Sequence, residues 1–503
     1  MQTRTDYAKR NIKWALLQRL IFVLCPFLIR ALLIQKFSSE YLGLSGLCTS
    51  ILSVLNMAEM GFSSAVLFCL YKPVADNDIK QISALMKFFR DIYKCIGLGV
   101  FIIGTIVAYF LPHLINGNIP SDVNIYVVFF LFLSNTCASY LLWGYKSTLL
   151  LAHQRNDVES KIITFSYLTQ YLLQLSAIII FVNYYFYVSA LLISTICANL
   201  VRKIIAEKLY PSLRCIGSVS KEQKQFIGKK VFGAFIQKIC GITRTSLGPI
   251  VVSSLLGLSL LAIYDNYLFI ITSIKGTLDV IIVAITTSIG DSIAKESSSK
   301  NYNDLRKFTF IYSLIGGFCT IVLLNVIQPF MQLWMGAELM FKPETVFLLC
   351  LYFYVLTIGD VRSAYIVGAG LWWEGRYRSI AETVVNILLI CILGHMYGVN
   401  GIIIGTILSV LLINFFWGNS ILFDYYFKGE SQKLFYCDTG KYFLVTITIC
   451  VVLYYLISSM QFHNVFLNII VNGVISVGLT ILFYFLIYRK SRYFHELFKL
   501  FKK

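Results

Sequence analysis

Charge is scarce in this chain, and acid is scarcer than base. Only 14% of the 503 residues are Asp, Glu, Lys or Arg, with 25 acids against 43 bases. A chain 58% hydrophobic with mean hydropathy +0.74 does not describe soluble domains. Length alone would permit roughly two to four of them. Paired cysteine is also missing. The 13 cysteines stand singly, mostly inside apolar runs, with no C-x-x-C spacing. That excludes a disulfide framework and a cysteine zinc site, and each isolated Cys reads as a small apolar residue. The five histidines (His113, His153, His395, His463 and His495) are dispersed, so no metal is expected. There is no Walker loop, no G-x-G-x-x-G and no H-E-x-x-H. The chain is therefore expected not to be an enzyme and to carry no catalytic residue. No cofactor is expected beyond H+ or Na+ as a coupling ion.

What is present is apolar length. Fourteen stretches fall at roughly 14–35, 41–70, 93–113, 123–145, 162–181, 184–201, 231–255, 258–290, 308–330, 346–370, 379–395, 399–425, 442–459 and 465–488. About 20 apolar residues cross the hydrocarbon layer as a helix. The runs lack period-two alternation and are too long for barrel strands, which leaves helices. The odd-numbered gaps between stretches hold 34 of the 43 Lys and Arg, and the even-numbered gaps hold only Lys36 and Lys342. Retained loops keep Lys and Arg while translocated loops lack them. Fourteen crossings with both termini cytoplasmic follow. The same rule accounts for the net charge of +18, so no nucleic-acid partner is expected; the basic loops face anionic lipid headgroups. The N-terminus imitates a signal sequence, but its apolar run is long and interrupted by Arg19 and Arg30, so it stays as the first helix.

The gap 202–230 carries eight basic residues and divides the chain. The expected domains are 1–205 (helices 1–6), a basic linker 206–230, 231–426 (helices 7–12), and 427–503 (helices 13–14 with a basic tail). Residues 221–230 read equally as a short interfacial helix or as solvated linker. A faint repeat at an offset near 220 relates Lys87-Phe88…Tyr93…Ile96-Gly97 to Lys307-Phe308…Tyr312…Ile315-Gly316. Polar turns are expected ahead of each, at Asp76–Asp78 and Asn301–Asp304. Such repeats in transporters place the substrate at the interface of two units.

Charges inside spans are costly and normally face a partner or a watery cavity. Arg30, Lys238, Arg244, Lys275 and Arg362 form the candidate cationic cavity. Arg19 and Lys94 sit nearer an interface and are expected to snorkel. Lys275 and Asp279, one helical turn apart, can neutralise each other. Glu59 first and Asp360 second are the candidate ion-coupling carboxylates. Asp360 and Arg362 point about 200° apart on a helix and need not pair. An excess of buried cations implies an anionic cargo, and the guanidinium fork suits phosphate. Pro26 removes a backbone bond from the first helix and is the candidate hinge.

Three blocks carry a family resemblance. The first is Glu40-Tyr41-Leu42-Gly43-Leu44-Ser45-Gly46-Leu47 with Ala58-Glu59-Met60-Gly61-Phe62 and Leu70-Tyr71-Lys72-Pro73. The second is Ala262-Ile263-Tyr264-Asp265-Asn266-Tyr267 with Ala284–Gly290. The third is Gly370-Leu371-Trp372-Trp373-Glu374-Gly375-Arg376-Tyr377, then Asn386 and Gly401–Thr406. In order, they resemble Wzx-type bacterial oligosaccharide-lipid flippases of the multidrug/oligosaccharidyl-lipid/polysaccharide superfamily. The resemblance implies two pseudo-symmetric six-helix lobes in a V plus two C-terminal helices, an all-α polytopic fold in the inner membrane. It implies an undecaprenyl-diphosphate-linked oligosaccharide as cargo, for O-antigen, capsule or exopolysaccharide, moved by alternating access. A polysaccharide polymerase and a chain-length regulator are the implied protein partners. The family's polar seventh helix is replaced here by Thr245-Ser246-Leu247-Gly248-Pro249, which removes an acidic coupling site there. The alternatives are a multidrug or organic-ion exporter of the same fold and a membrane-embedded polymerase. The first would favour acidic spans, and the second a large external loop.

Overall fold

A computed structural model describes residues 4–56, 62–117, 119–371, 373–460 and 462–501. Among these the regular structure is helical, without strands. In chain order the helices are α1 (Arg4–Lys36), α2 (Ser39–Leu55), α3 (Phe62–Ala75), α4 (Ile79–Phe110), α5 (Ile125–Leu141), α6 (Lys146–Ala152), α7 (Asn156–Ile179), α8 (Tyr184–Leu209) and α9 (Lys221–Leu256). They continue as α10 (Leu258–Lys295), α11 (Ser298–Met335), α12 (Pro343–Ile358), α13 (Asp360–Gly368), α14 (Arg376–Ser409), α15 (Gly418–Tyr425), α16 (Gln432–Ser458), α17 (Val465–Tyr488) and α18 (Arg492–Phe501). A π-helical segment, Val410–Trp417, joins α14 to α15.

Ten helices are long and apolar enough to cross a bilayer singly, and α5 with α6, bent by 49°, makes an eleventh. Two further features reconcile this with fourteen apolar runs. First, α14 is a hairpin: its backbone leaves helical values at Gly398 (φ 59, ψ −138). Its two arms then pack antiparallel. A Cβ on Gly405 would lie 2.9 Å from the Leu389 carbonyl carbon, and Asn386 donates to Ser409 at 2.9 Å. Only glycine permits both that positive φ and that approach. Second, α2 and α3 are shorter apolar helices that share the run 41–70, and α9 contains the run 231–255 in its C-terminal part.

The chain divides into two compact units, Met1–Ala262 and Ile263–Lys503. In the first, α7 packs on α1 and α8, and α5 on α4 and α8. Asn124 and Asn183 cap α5 and α8, their side chains accepting backbone N–H groups. Each such cap is worth about 1 kcal/mol. Residues 221–230 are part of α9, continuous with the span, because Ser220 caps it by accepting from Gln223 N. α9 packs on α2. There Asn116 donates from N to Ser253 O (3.0 Å) and from Nδ2 to Leu255 O (2.8 Å), and Ser259 donates to Glu40 Oε1 (2.8 Å). Gly43 lies so close to the Leu258 backbone that a Cβ would overlap it.

In the second unit α11 is the central helix, covered by α12, α16 and α17. Gly316 and Gly317 allow this: a Cβ would meet Thr357 Oγ1 at 2.7 Å on one side and Thr446 Oγ1 at 2.7 Å on the other. One expectation is corrected here. Asn301–Asp304 is not a turn but the first part of α11, because Ser297 caps that helix. Asn301 is buried and donates to Ser292 O (3.3 Å) and Ser297 O (3.2 Å), tying α10 to α11.

The last helix, α18, is docked on α11 by Glu496, which pairs with Lys307 Nζ (3.1 Å) and Arg492 Nε (3.1 Å). Those cations, Lys307 first, hold its carboxyl below the ordinary range. A carboxyl depressed in the fold stabilises it above the unfolded value of about 4.3 and loses that contribution as pH falls through the folded value. Glu496→Gln should therefore lower the thermal midpoint at pH 7, by the equivalent of about 1 kcal/mol or less. The difference from wild type should shrink as pH falls below about 4.3 and vanish once the carboxyl is protonated in the folded state as well. A difference that persisted there would mean that packing, not charge, docks α18.

Candidate functional site

The five candidate cations divide between the units. Arg30 (α1), Lys238 and Arg244 (α9) lie in the first. Lys275 (α10) and Arg362 (α13) lie in the second. Glu59 lies outside the described residues, as does the side chain of Lys238. Arg30 is half-buried, one turn beyond Pro26, within electrostatic reach of Tyr171 and Tyr187 on the neighbouring helices. α1 remains helical through Pro26. Arg244 is half-buried on α9.

The charge of the two units differs in kind. The seven apolar stretches before residue 258 contain five cations (Arg19, Arg30, Lys94, Lys238 and Arg244) and one acid, Glu59. The seven after it contain two cations against five acids: Asp265, Asp279, Asp360, Glu382 and Asp424. In the second unit the structure gives both cations partners. Lys275 Nζ contacts Asp360 Oδ2 at 3.0 Å and also pairs with Asp279. Tyr312 on α11 faces the same Asp360. The self-neutralisation of Lys275 and Asp279 is thus present, and Asp360 joins it from a third helix. One ammonium and two carboxylates leave this triad one negative charge in excess when all are ionised.

Arg362 belongs to a second network. It is 1% exposed, the largest side chain so deeply buried. Its Nη1 donates to the carbonyls of Asn414 and Phe415 (3.1 Å to the latter), and its Nη2 donates to Asn414 Oδ1. Asn414 Nδ2 in turn donates to Glu382 Oε2 at 2.7 Å, and Arg378 lies 3.7 Å from the same oxygen. The carbonyls of Asn414 and Phe415 also accept from the Gly418 N–H at the end of the π-helical segment. A carbonyl has two lone pairs, and the guanidinium supplies the second donor to each. Gly418 is required beside it, since a Cβ would overlap Nη1. Asp360 and Arg362, two residues apart, serve separate networks, as their opposite helix faces require.

Sequence reasoning did not identify Asn414, Glu382 or Tyr312 as partners. Asn414 in an otherwise apolar run (Val410–Trp417) was the available signal, because a carboxamide in a span needs a partner. In the first unit, Arg202 forms a bidentate pair with Glu159 (Nε–Oε2 3.1 Å, Nη2–Oε1 2.6 Å) near the helix ends. That pair fixes α7 to α8 and is remote in sequence from the candidate cations.

No protein-family model and no curated protein matches the chain. Solved structures do. The lipid II flippase MurJ in an inward closed conformation superposes with TM-score 0.68 at 15% identity, covering 95% of this chain and 99% of that one. An inward-facing multidrug resistance MATE family transporter of the MOP superfamily gives TM-score 0.62 at 13% identity, covering 80% and 94%. A MOP superfamily transporter from Pyrococcus furiosus, described by the reverse polarity of its binding pocket, gives 0.55 at 13%, covering 83% and 96%. These neighbours are transporters and a flippase rather than enzymes. At such identities they speak for the fold. The chain is an all-helical, multi-pass membrane protein with the fold of the MOP superfamily transporters.

Proposed function

We propose that this protein is a flippase for a polyprenyl-diphosphate-linked oligosaccharide, worked by alternating access. The observation that carries the reading is the charge asymmetry. The spans of the first unit hold five cations against one acid, and those of the second two cations against five acids. A surplus of cations in apolar helices is costly unless an anion shares the space. A lipid diphosphate supplies both the anion and an apolar tail. The likeness of fold to a lipid II flippase supports a lipid-linked cargo over a soluble one. In this reading Arg30, Arg244 and Lys238 engage the diphosphate. Arg362 shapes α14 and α15, and the Lys275–Asp360–Asp279 triad couples an ion. Lys275 acts at the cavity through that triad. Bacterial surface-polysaccharide synthesis in the inner membrane, with a polymerase and chain-length regulator downstream, is the setting this cargo belongs to.

Reconstitution in vesicles tests the reading. Arg30→Gln and Arg244→Gln should each cut translocation of a lipid-diphosphate oligosaccharide about tenfold, the equivalent of about 1.4 kcal/mol. Protein level and thermal midpoint should stay close to wild type. Arg30→Lys should recover part of the rate, because charge survives but the fork does not. Full translocation by both Gln variants would refute the assignment. Export of organic cations with no lipid translocation would favour the exporter reading instead.

A further inference from the structure

Where α16 and α17 leave α11 at its lysine-poor end, they open a cavity of about 280 Å³. Its polar lining is Asn325, Gln328 and Gln332 of α11, Tyr454 and Ser458 of α16, and Asn468 and Asn472 of α17. Five carboxamides meet there, and among the described residues no Asp, Glu, Lys, Arg or His lines the space. Carboxamides at the end of a membrane helix bundle need an explanation, and the fold uses only part of their capacity. Gln328 is spent on both sides, donating to Phe341 O (2.8 Å) and accepting from Tyr267 Oη (2.6 Å). Asn468 is spent on Phe462, donating to its O and accepting from its N, both at 2.8 Å. Asn325 and Asn472 use only their nitrogens, on Ile321 O (2.9 Å) and Asn325 O (3.2 Å). Their oxygens remain as acceptors. The exposed Gln332 carboxamide and the Tyr454 hydroxyl make no hydrogen bond with the described residues and offer both donors and acceptors.

We infer that this cavity is a binding site for an uncharged, polyhydroxylated head group, a single sugar ring carried on an amphiphile. The absence of charge excludes a phosphate head, whose burial without a cation would be costly. Fixed carboxamide oxygens with an adjacent carboxamide and phenol match hydroxyl groups, which donate and accept at once. The Tyr454 ring gives an apolar face for the C–H side of the sugar. The volume sits just below the range of about 300–1,000 Å³ for drug-sized ligands, which suits one ring rather than a chain. The site lies wholly within the second unit and does not depend on the cationic residues of the first. It goes beyond the flippase reading, since it would hold a sugar head whatever drives transport.

The test is binding, without transport. The protein is purified in a polyoxyethylene detergent and titrated with dodecyl glucoside, or with dodecyl phosphocholine of the same chain length. The glucoside should give a saturable rise in the thermal midpoint, and the phosphocholine none. Gln332→Leu and Tyr454→Phe, neither of which removes a bond of the fold, should each weaken glucoside binding about tenfold. Asn472→Leu should abolish it. Arg30→Gln should leave it unchanged, so that failure of translocation and failure of this site are read separately. Equal responses to both head groups, or unchanged glucoside affinity in the Gln332 and Tyr454 variants, would overturn the inference.

Discussion

Arg362→Met should destabilise the second unit by about 3 kcal/mol or more, the cost typical of removing one partner from a buried charged network. The side chain is 1% exposed and donates to two carbonyls of the π-helical segment and to Asn414. Its loss removes the second donor from each carbonyl, which the Gly418 N–H still serves, and the guanidinium donor from Asn414 Oδ1. It also frees Asn414, which carries a hydrogen bond to the 1% exposed Glu382. Arg362→Lys should rescue little, since a point charge cannot serve a carbonyl pair and a carboxamide together. Gly418→Ala should have a related effect, by pushing on the guanidinium from the other side. Thermal unfolding of the purified protein, with membrane levels measured alongside, checks this. A cargo-binding role predicts the reverse: a variant as stable as wild type that fails only in translocation. That pattern is the one expected of Arg30→Gln, so the two arginines are separated by one experiment.

Asp360→Asn should abolish the dependence of translocation on an imposed proton or sodium gradient. Asp360 contacts Lys275 at 3.0 Å and shares it with Asp279. With all three ionised, the triad carries an extra negative charge in a buried place, which a bound cation would cancel. Binding that differs between two conformations is what couples an ion to a transition, and a tenfold difference in affinity supplies about 1.4 kcal/mol of bias. The Asn variant keeps the shape but removes the charge, so gradient-driven and undriven rates should converge. Asp279→Asn should do less, because that side chain is 52% exposed and better served by water. Reconstituted transport with and without the gradient is the measurement. Unchanged gradient dependence in Asp360→Asn would make the triad a structural ion pair. The same experiment on Glu59→Gln would then decide whether coupling lies in the first unit.

Much of this molecule follows from local chemistry that a sequence displays. Long apolar runs must become helices in a bilayer because backbone groups find no water there. Even the α14 hairpin was legible as two runs flanking Met396–Gly398, since glycine there permits the reversal. The excess of cations in the first seven runs was legible too, because charges in spans are few and countable. Partnership was not. Arg30 and Arg362 look alike in sequence, each an arginine well inside an apolar run. Only the tertiary structure separates them, by bringing Asn414 and its carbonyls, some 50 residues away, onto Arg362. Asp360 likewise acquires its meaning from Lys275 on another helix. The carboxamide cavity has no sequence signature at all, since its lining comes from α11, α16 and α17. Periodicity and hydropathy are properties of one segment. Which polar groups satisfy one another depends on how segments pack, and that is fixed only when the helices meet.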